Sequence, residues 1–160
     1  MKNSLFVVIL ALLFGACQND IVFEQTKDIN QLQWHKDSVV ELHFTPVANQ
    51  AYDVFFLIRN DNDYPYSNLF IIAEIEDEKT KITDTLEYEM ADEKGKWLGS
   101  GIWDLKESKL IYKTNYTFDN DLPKTFKIQQ ADRKSGQVNG DISLNGIATV
   151  GIIIEKHNKN

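Results

Sequence analysis

The sequence predicts an all-β fold, an antiparallel β-sandwich, on three observations. Apolar residues recur at every second position through most of the chain beyond Val40, the period at which a strand sends side chains to opposite faces. About seven or eight such runs are separated by short clusters of Asn, Asp, Gly, Pro and Ser, the punctuation of turns. No stretch of a dozen residues holds a 3.6 period, so the crossover helices that a parallel sheet requires have no place to form. Regular short strands of this kind build sandwiches, and jelly-roll connectivity is preferred here over immunoglobulin-like.

Taken in order, Gln18 to Gln33 has little periodicity and reads as a tether, with a short strand at Ile21-Val22-Phe23. The sandwich is expected over residues 34–160. Val40, Leu42 and Phe44 alternate with Glu41 and His43. Tyr52, Val54, Phe56 and Ile58 form one face of the next run, while Phe55 and Leu57 make the other face apolar too, so this strand is expected to be central and covered on both sides. Leu69–Glu76 begins two-sided and turns half-exposed at Glu74 and Glu76. Glu76–Lys81 reads as a charged hairpin loop. In Lys81–Met90, Ile82, Leu86, Tyr88 and Met90 share a face on which Asp84 is the one misfit. Leu110 and Tyr112, Tyr116 and Phe118, and Phe126 and Ile128 continue the alternation, and Val150–Ile154 is a last apolar strand.

The first residues have a different logic. Met1-Lys2 is a basic start, Leu5–Phe14 an apolar run, Gly15-Ala16 a pair of small residues, and Cys17 the chain's single cysteine. That order is a secretory signal over residues 1–16 ending at a cysteine, as bacterial lipoprotein signals do. The apolar run is too short for ~30 Å of hydrocarbon, which needs about 20 residues. Cleavage before Cys17, acylation of its thiol (palmitate among the chains) and an acylated N-terminus and tether over residues 17–33 are expected. Several acyl chains anchor stably where one does not, at about 0.8 kcal/mol per buried CH₂.

The formal net charge is −7, and it becomes one unit more negative when Lys2 leaves with the signal. Such a surface disfavours nucleic acid and anionic lipid as partners. No disulfide can form within a chain that has one cysteine.

Residues that could carry chemistry are few. His35, His43 and His157 sit in no nucleophile–base–acid pattern, and one cysteine gives no zinc-ligand set. Asn60–Asn68 (NDNDYPYSN) crowds oxygen ligands into one loop, with Asp61 and Asp63 as calcium candidates. Pro65 stands where a third ligand belongs, however, and Asx residues build turns by themselves. Pro65 is also a candidate cis proline. Glu87 and Glu89 share a strand face, but nothing in the pattern separates their pKa values, so they read as solvated acids. Trp97, Trp103, Tyr64 and Tyr66 lie in loops. Such rings either close the open end of a sandwich or anchor a partner, and Tyr64, Tyr66 and Trp97 form the candidate partner surface. No catalytic residue, resident metal or cofactor is expected, and the protein is not expected to be an enzyme.

Three stretches together resemble the GldH family, the gliding motility lipoproteins of Bacteroidota. They are Arg59–Phe70 (RNDNDYPYSNLF), Thr83–Gly99 (TDTLEYEMADEKGKWLG) and the C-terminal set Gln130, Arg133, Gly136, Val138, Gly140, Gly146 and Val150-Gly151. The chain departs from the family pattern at Trp103, where a small residue is usual, and at Ala148-Thr149. The resemblance implies a cell-envelope lipoprotein required for gliding, supporting assembly or stability of the gliding and type IX secretion machinery through protein contacts. It brings no catalytic residue or cofactor, and only Cys17 transfers as a functional position. Gln18 after the cysteine, with no acidic run behind it, leads us to expect the outer membrane, facing the periplasm. The alternative reading is a periplasmic glycan-binding β-sandwich module.

Overall fold

The structure is a computed structural model that describes residues 20–132 and 141–158. Cys17, and the Arg133, Gly136, Val138 and Gly140 positions of the family pattern, lie outside the described residues. The described chain forms ten strands: β1 (Ile21–Asp28), β2 (Gln33–His35), β3 (Val40–Phe44), β4 (Ala51–Asn60), β5 (Asn68–Glu76), β6 (Lys81–Glu89), β7 (Lys106–Thr117), β8 (Lys124–Gln130), β9 (Ser143–Asn145) and β10 (Ile147–Lys156). One sheet has the order β1-β10-β4-β7, its mate has the order β3-β8-β5-β6, and β2 pairs with β9 as a short ribbon. Every pairing is antiparallel. The expected antiparallel sandwich is the fold.

The two-sided run forms β4, flanked by β10 and β7. Its inner face, Tyr52, Val54, Phe56 and Ile58, is buried, and so is Leu57 on the outer face. Phe56 stacks on Tyr112 at 4.7 Å between ring centroids, and Tyr52, Phe44 and Phe118 pack as a ring cluster toward the end where the chain enters. Each ring removes ~150–250 Å² from water, and these aromatics dominate the core. The pairing of β7 with β4 slips twice, between Tyr52 and Val54 and between Val54 and Phe55. Asn115 there takes φ 49°, and its N–H donates to Asp53 Oδ1 at 2.8 Å. The bulge twists β7 locally as extra residues do.

Asp84, the misfit of β6, is matched from across the sandwich by Lys113 Nζ at 2.7 Å and Tyr112 Oη–H at 2.9 Å. The Lys113 hydrogen bond holds its carboxyl below the usual range despite partial burial. The Glu76–Lys81 loop is a tight hairpin in which Asp77 Oδ1 accepts the N–H groups of Lys79 and Thr80. Its other oxygen takes the ammonium of Lys124, a buried ion pair that keeps Asp77 well below the usual carboxylate range.

The tether expectation needs correction. The strand expected at Ile21–Phe23 runs on to Asp28 and pairs with β10 along its length, so the folded domain begins before residue 34. β1 is an edge strand with one covered face, and its side chains are mostly exposed. It shows no apolar alternation because only Phe23 reaches the core, while the backbone ladder with β10 holds it. No sequence pattern marks the β2–β9 ribbon either, since three residues are too short for a period. It nonetheless buries Trp34 completely, with Nε1–H donating to Ser38 O at 2.8 Å.

Candidate functional site

β4 and β5, β6 and β7, and the ribbon all send loops to one end of the sandwich. The chain enters at the opposite end, where Ile21 pairs with Glu155 and Lys156 with Tyr52. We call the loop end distal. It gathers Asp61–Ser67, the Ala91–Leu105 segment and Asp141–Gly146, and the sequence's loop aromatics meet there.

Tyr64 is the hub, and it is buried, at 3% exposure. Its Oη–H donates to Asn68 O at 2.6 Å, and Tyr66 and Trp97 pack edge-on and tilted against its ring at 6.1 and 6.0 Å. Burial, with the Asp132 charge nearby, pushes the Tyr64 phenol far above its ordinary value. Tyr66 is half-buried, donates to Asp141 Oδ2 and is pushed up to about 12 by burial first and that bond second. Trp97 is half-buried too, with Nε1–H donating to Asn62 Oδ1 at 3.0 Å. The three expected residues therefore do come together, but Tyr64 closes the end of the core and offers no ring face to a partner. Sequence periodicity cannot show this, because the Asn60–Asn68 loop folds back over the core.

The fold-back depends on Gly146. It adopts φ 79°, its C=O accepts Asp61 N–H at 2.8 Å, and a Cβ there would lie 2.3 Å from Tyr64 N. Only glycine allows both that dihedral and that approach. Asp61 Oδ1 accepts the Asp63 N–H at 2.9 Å, an Asx turn. Among the described residues no cluster of three or more His, Cys, Asp or Glu side chains is placed to hold a metal ion.

Asn62, which the sequence does not single out, ties the end together. Its Oδ1 takes the Trp97 indole, and its Nδ2–H donates to Asp104 Oδ1 at 2.9 Å. Asp92 orders the preceding turn by accepting the N–H groups of Lys94 and Lys96, each at 2.9 Å. Glu87 accepts from Asn68 Nδ2–H at 2.6 Å and lines an open groove with Glu89, Asp92, Glu93 and Leu98.

Beneath the aromatics lies Asp132, at 2% exposure. Its Oδ1 accepts Phe70 N–H at 3.2 Å, and its Oδ2 is buried without a hydrogen-bond partner. Burial pushes its carboxyl up to about 7; the Phe70 bond opposes this, and Asp141 and Glu87 add to the rise. No sequence signal marks an acid as buried.

The histidines stand apart from this end or at its margin. His43 contacts Thr125 Oγ1 at 3.3 Å, His157 contacts Asp53 at 2.9 Å, and His35 Nδ1 accepts Asp37 N–H at 3.2 Å. Among the described residues every peptide bond is trans, Tyr64-Pro65 included.

Known proteins add the following. The family described as GldH lipoprotein matches residues 21–154. The gliding motility lipoprotein GldH homolog of Christiangramia forsetii is 46% identical over 156 residues, covering 96% of this chain and 95% of that protein. The gliding motility lipoprotein GldH of Flavobacterium johnsoniae is 40% identical over 159 residues, covering 98% of each. Among solved structures, the infectious bursal disease virus VP2 subviral particle is similar at TM-score 0.34 and 13% identity, covering 88% of this chain and 39% of that chain. At that score the likeness supports no argument.

Proposed function

The chain belongs to the GldH lipoprotein family, and from that premise we propose that it is a cell-envelope lipoprotein that serves gliding motility. It supports the assembly or stability of the gliding and type IX secretion machinery through protein contacts. The observation that carries this reading is identity of 40% and 46%, over nearly the full length, to two proteins named as gliding motility lipoproteins. Cys17 is the acylation site, and the lipid holds the sandwich on the periplasmic side of the outer membrane.

The physics is compatible with such a role. Counting the eight sandwich strands in chain order, the sheets run 1-8-3-6 and 2-7-4-5. We read this wiring as a jelly roll, two Greek keys folded over one core. That frame holds the distal loops through core rings and side-chain ties, and a rigid frame displaying ordered loops suits docking, because little freedom is left to lose on contact.

A clean deletion tests the proposal. Single-cell gliding and secretion of a type IX cargo are both expected to fail and to return with the wild-type chain. Normal gliding and secretion after deletion would reject it. Protease added to intact cells is expected to leave the protein uncut, and efficient cutting would reject the periplasmic orientation.

A further inference from the structure

Six of the eleven large apolar side chains left exposed among the described residues stand at the distal end: Leu32, Leu98, Ile102, Trp103, Leu105 and Ile142. Ile102 and Trp103 are the barest, at 80% and 89% exposure. An indole held in water forgoes the burial that usually justifies its presence. Trp103 also sits at φ 61°, a left-handed conformation that bulky side chains rarely adopt.

This tip is built. Ser100 and Glu107 exchange backbone hydrogen bonds at 2.9 and 2.7 Å across its base. Lys106 Nζ donates to Trp103 O at 2.9 Å, and Asn62 fixes Asp104 from the neighbouring loop. A Cβ on Gly101 would lie 2.2 Å from Leu105 O, so the turn closes around a glycine. Strain kept in place by its surroundings, at a bare aromatic, is the pattern of a preorganised contact.

We propose that the Ile102-Trp103-Leu105 tip is a docking surface for an envelope protein that offers an apolar socket for the indole, rimmed by lysine or arginine. The inference deepens the proposed function and rests on it, including acylation at Cys17. Position favours a protein over the anchoring bilayer. The chain enters at one end of β4 and the tip stands at the other, where Asn60 pairs with Lys106. Ten strand residues separate the ends by roughly 30 Å. The link from Cys17 to Asp20 reaches about 10 Å at most, so a sandwich standing on its anchor holds the tip away from that membrane. Charge points the same way. Asp104 is in the tip and Asp61 and Asp63 flank the Asn62 that binds it, so three acids stand against the tip's Lys106, whose ammonium is held by Trp103 O. These acids repel anionic headgroups and a second copy of this acidic chain, and they favour a basic rim.

A photoreactive phenylalanine in place of Leu105, with Trp103 intact, tests this in living cells of the source. Val47, 67% exposed and near the anchored end, is the control position. The expected result is one discrete adduct at 105 and not at 47, its crosslinked peptide apolar and flanked by Lys or Arg. Trp103→Ser is expected to weaken the adduct at least tenfold at unchanged protein level and unchanged melting temperature. No adduct, an adduct to lipid, an adduct to a second copy, or the same adduct at 47 would overturn the proposal. So would an adduct indifferent to Trp103→Ser. The adduct is read whether or not deletion stops gliding, so failure of the functional reading and failure of this one are told apart.

Discussion

Replacing Asp132 with Asn should make the fold more stable at neutral pH than the native chain. Asp132 is buried, with Oδ2 unpartnered and its carboxyl pushed up to about 7 from an ordinary 3.8. Between those two values the folded state keeps a proton that the unfolded chain has lost. Native stability therefore falls as pH rises from about 4 to about 7 and levels off above. At about 1.36 kcal/mol per pH unit the gap corresponds to roughly 4 kcal/mol, an upper figure, since relaxation around a new charge lowers it. Asp132→Asn keeps an oxygen for the Phe70 N–H and removes the charge, so its profile lacks this fall. The carboxyls of Asp84 and Asp77 are lowered, and their contribution is lost only as pH drops below the ordinary range, in both proteins alike. Urea unfolding of the domain from Asp20 onward, followed by tryptophan fluorescence at half-unit steps from pH 4 to 8, reads the difference. Native and variant should coincide near pH 4 and separate by up to ~4 kcal/mol at pH 8. Parallel profiles would refute a buried carboxyl with a raised pKa.

Two more expectations concern the distal end. Gly146→Ala forces a Cβ toward Tyr64 N at φ 79° and should cost at least 1–3 kcal/mol, about the cost of one strained backbone residue; urea midpoints measure it, and a loss below 0.5 kcal/mol would mean that the loop does not pack there as described. Trp97→Phe keeps a ring beside Tyr64 and deletes the indole N–H that Asn62 accepts, so it should cost about 1 kcal/mol. Amide exchange of the Gly101–Lys106 turn should quicken with it, and an unchanged exchange rate would disconnect Asn62 from the tip.

Most of the sandwich is legible in the sequence because half-buried strands write their burial as a period of two. β3, β4 and β8 follow the expected faces, whereas β5, expected to begin two-sided, alternates from its first residue, with Phe70 and Ile72 half-buried. β1 is legible only in its first residues because an edge strand held by its backbone carries no apolar stripe. Asp84 looks like an error on its face because its partners, Lys113 and Tyr112, are distant in sequence. The loop aromatics can be located from sequence, yet their division of labour cannot: Tyr64 turns inward because Gly146 lets the loop collapse, whereas Trp103, outside the expected partner surface, stands bare. Loop burial is set by tertiary contacts alone, and neither composition nor spacing encodes it.

The proposed role has the sandwich serve the gliding machinery from the membrane. Expressing the domain in the deletion strain in two forms, one behind its own signal with Cys17 and one behind a cleavable signal without a lipid-accepting cysteine, separates anchored from released function. With periplasmic levels matched, the anchored form should restore gliding and cargo secretion and the released form should not. Full restoration by the released form would contradict the proposed role.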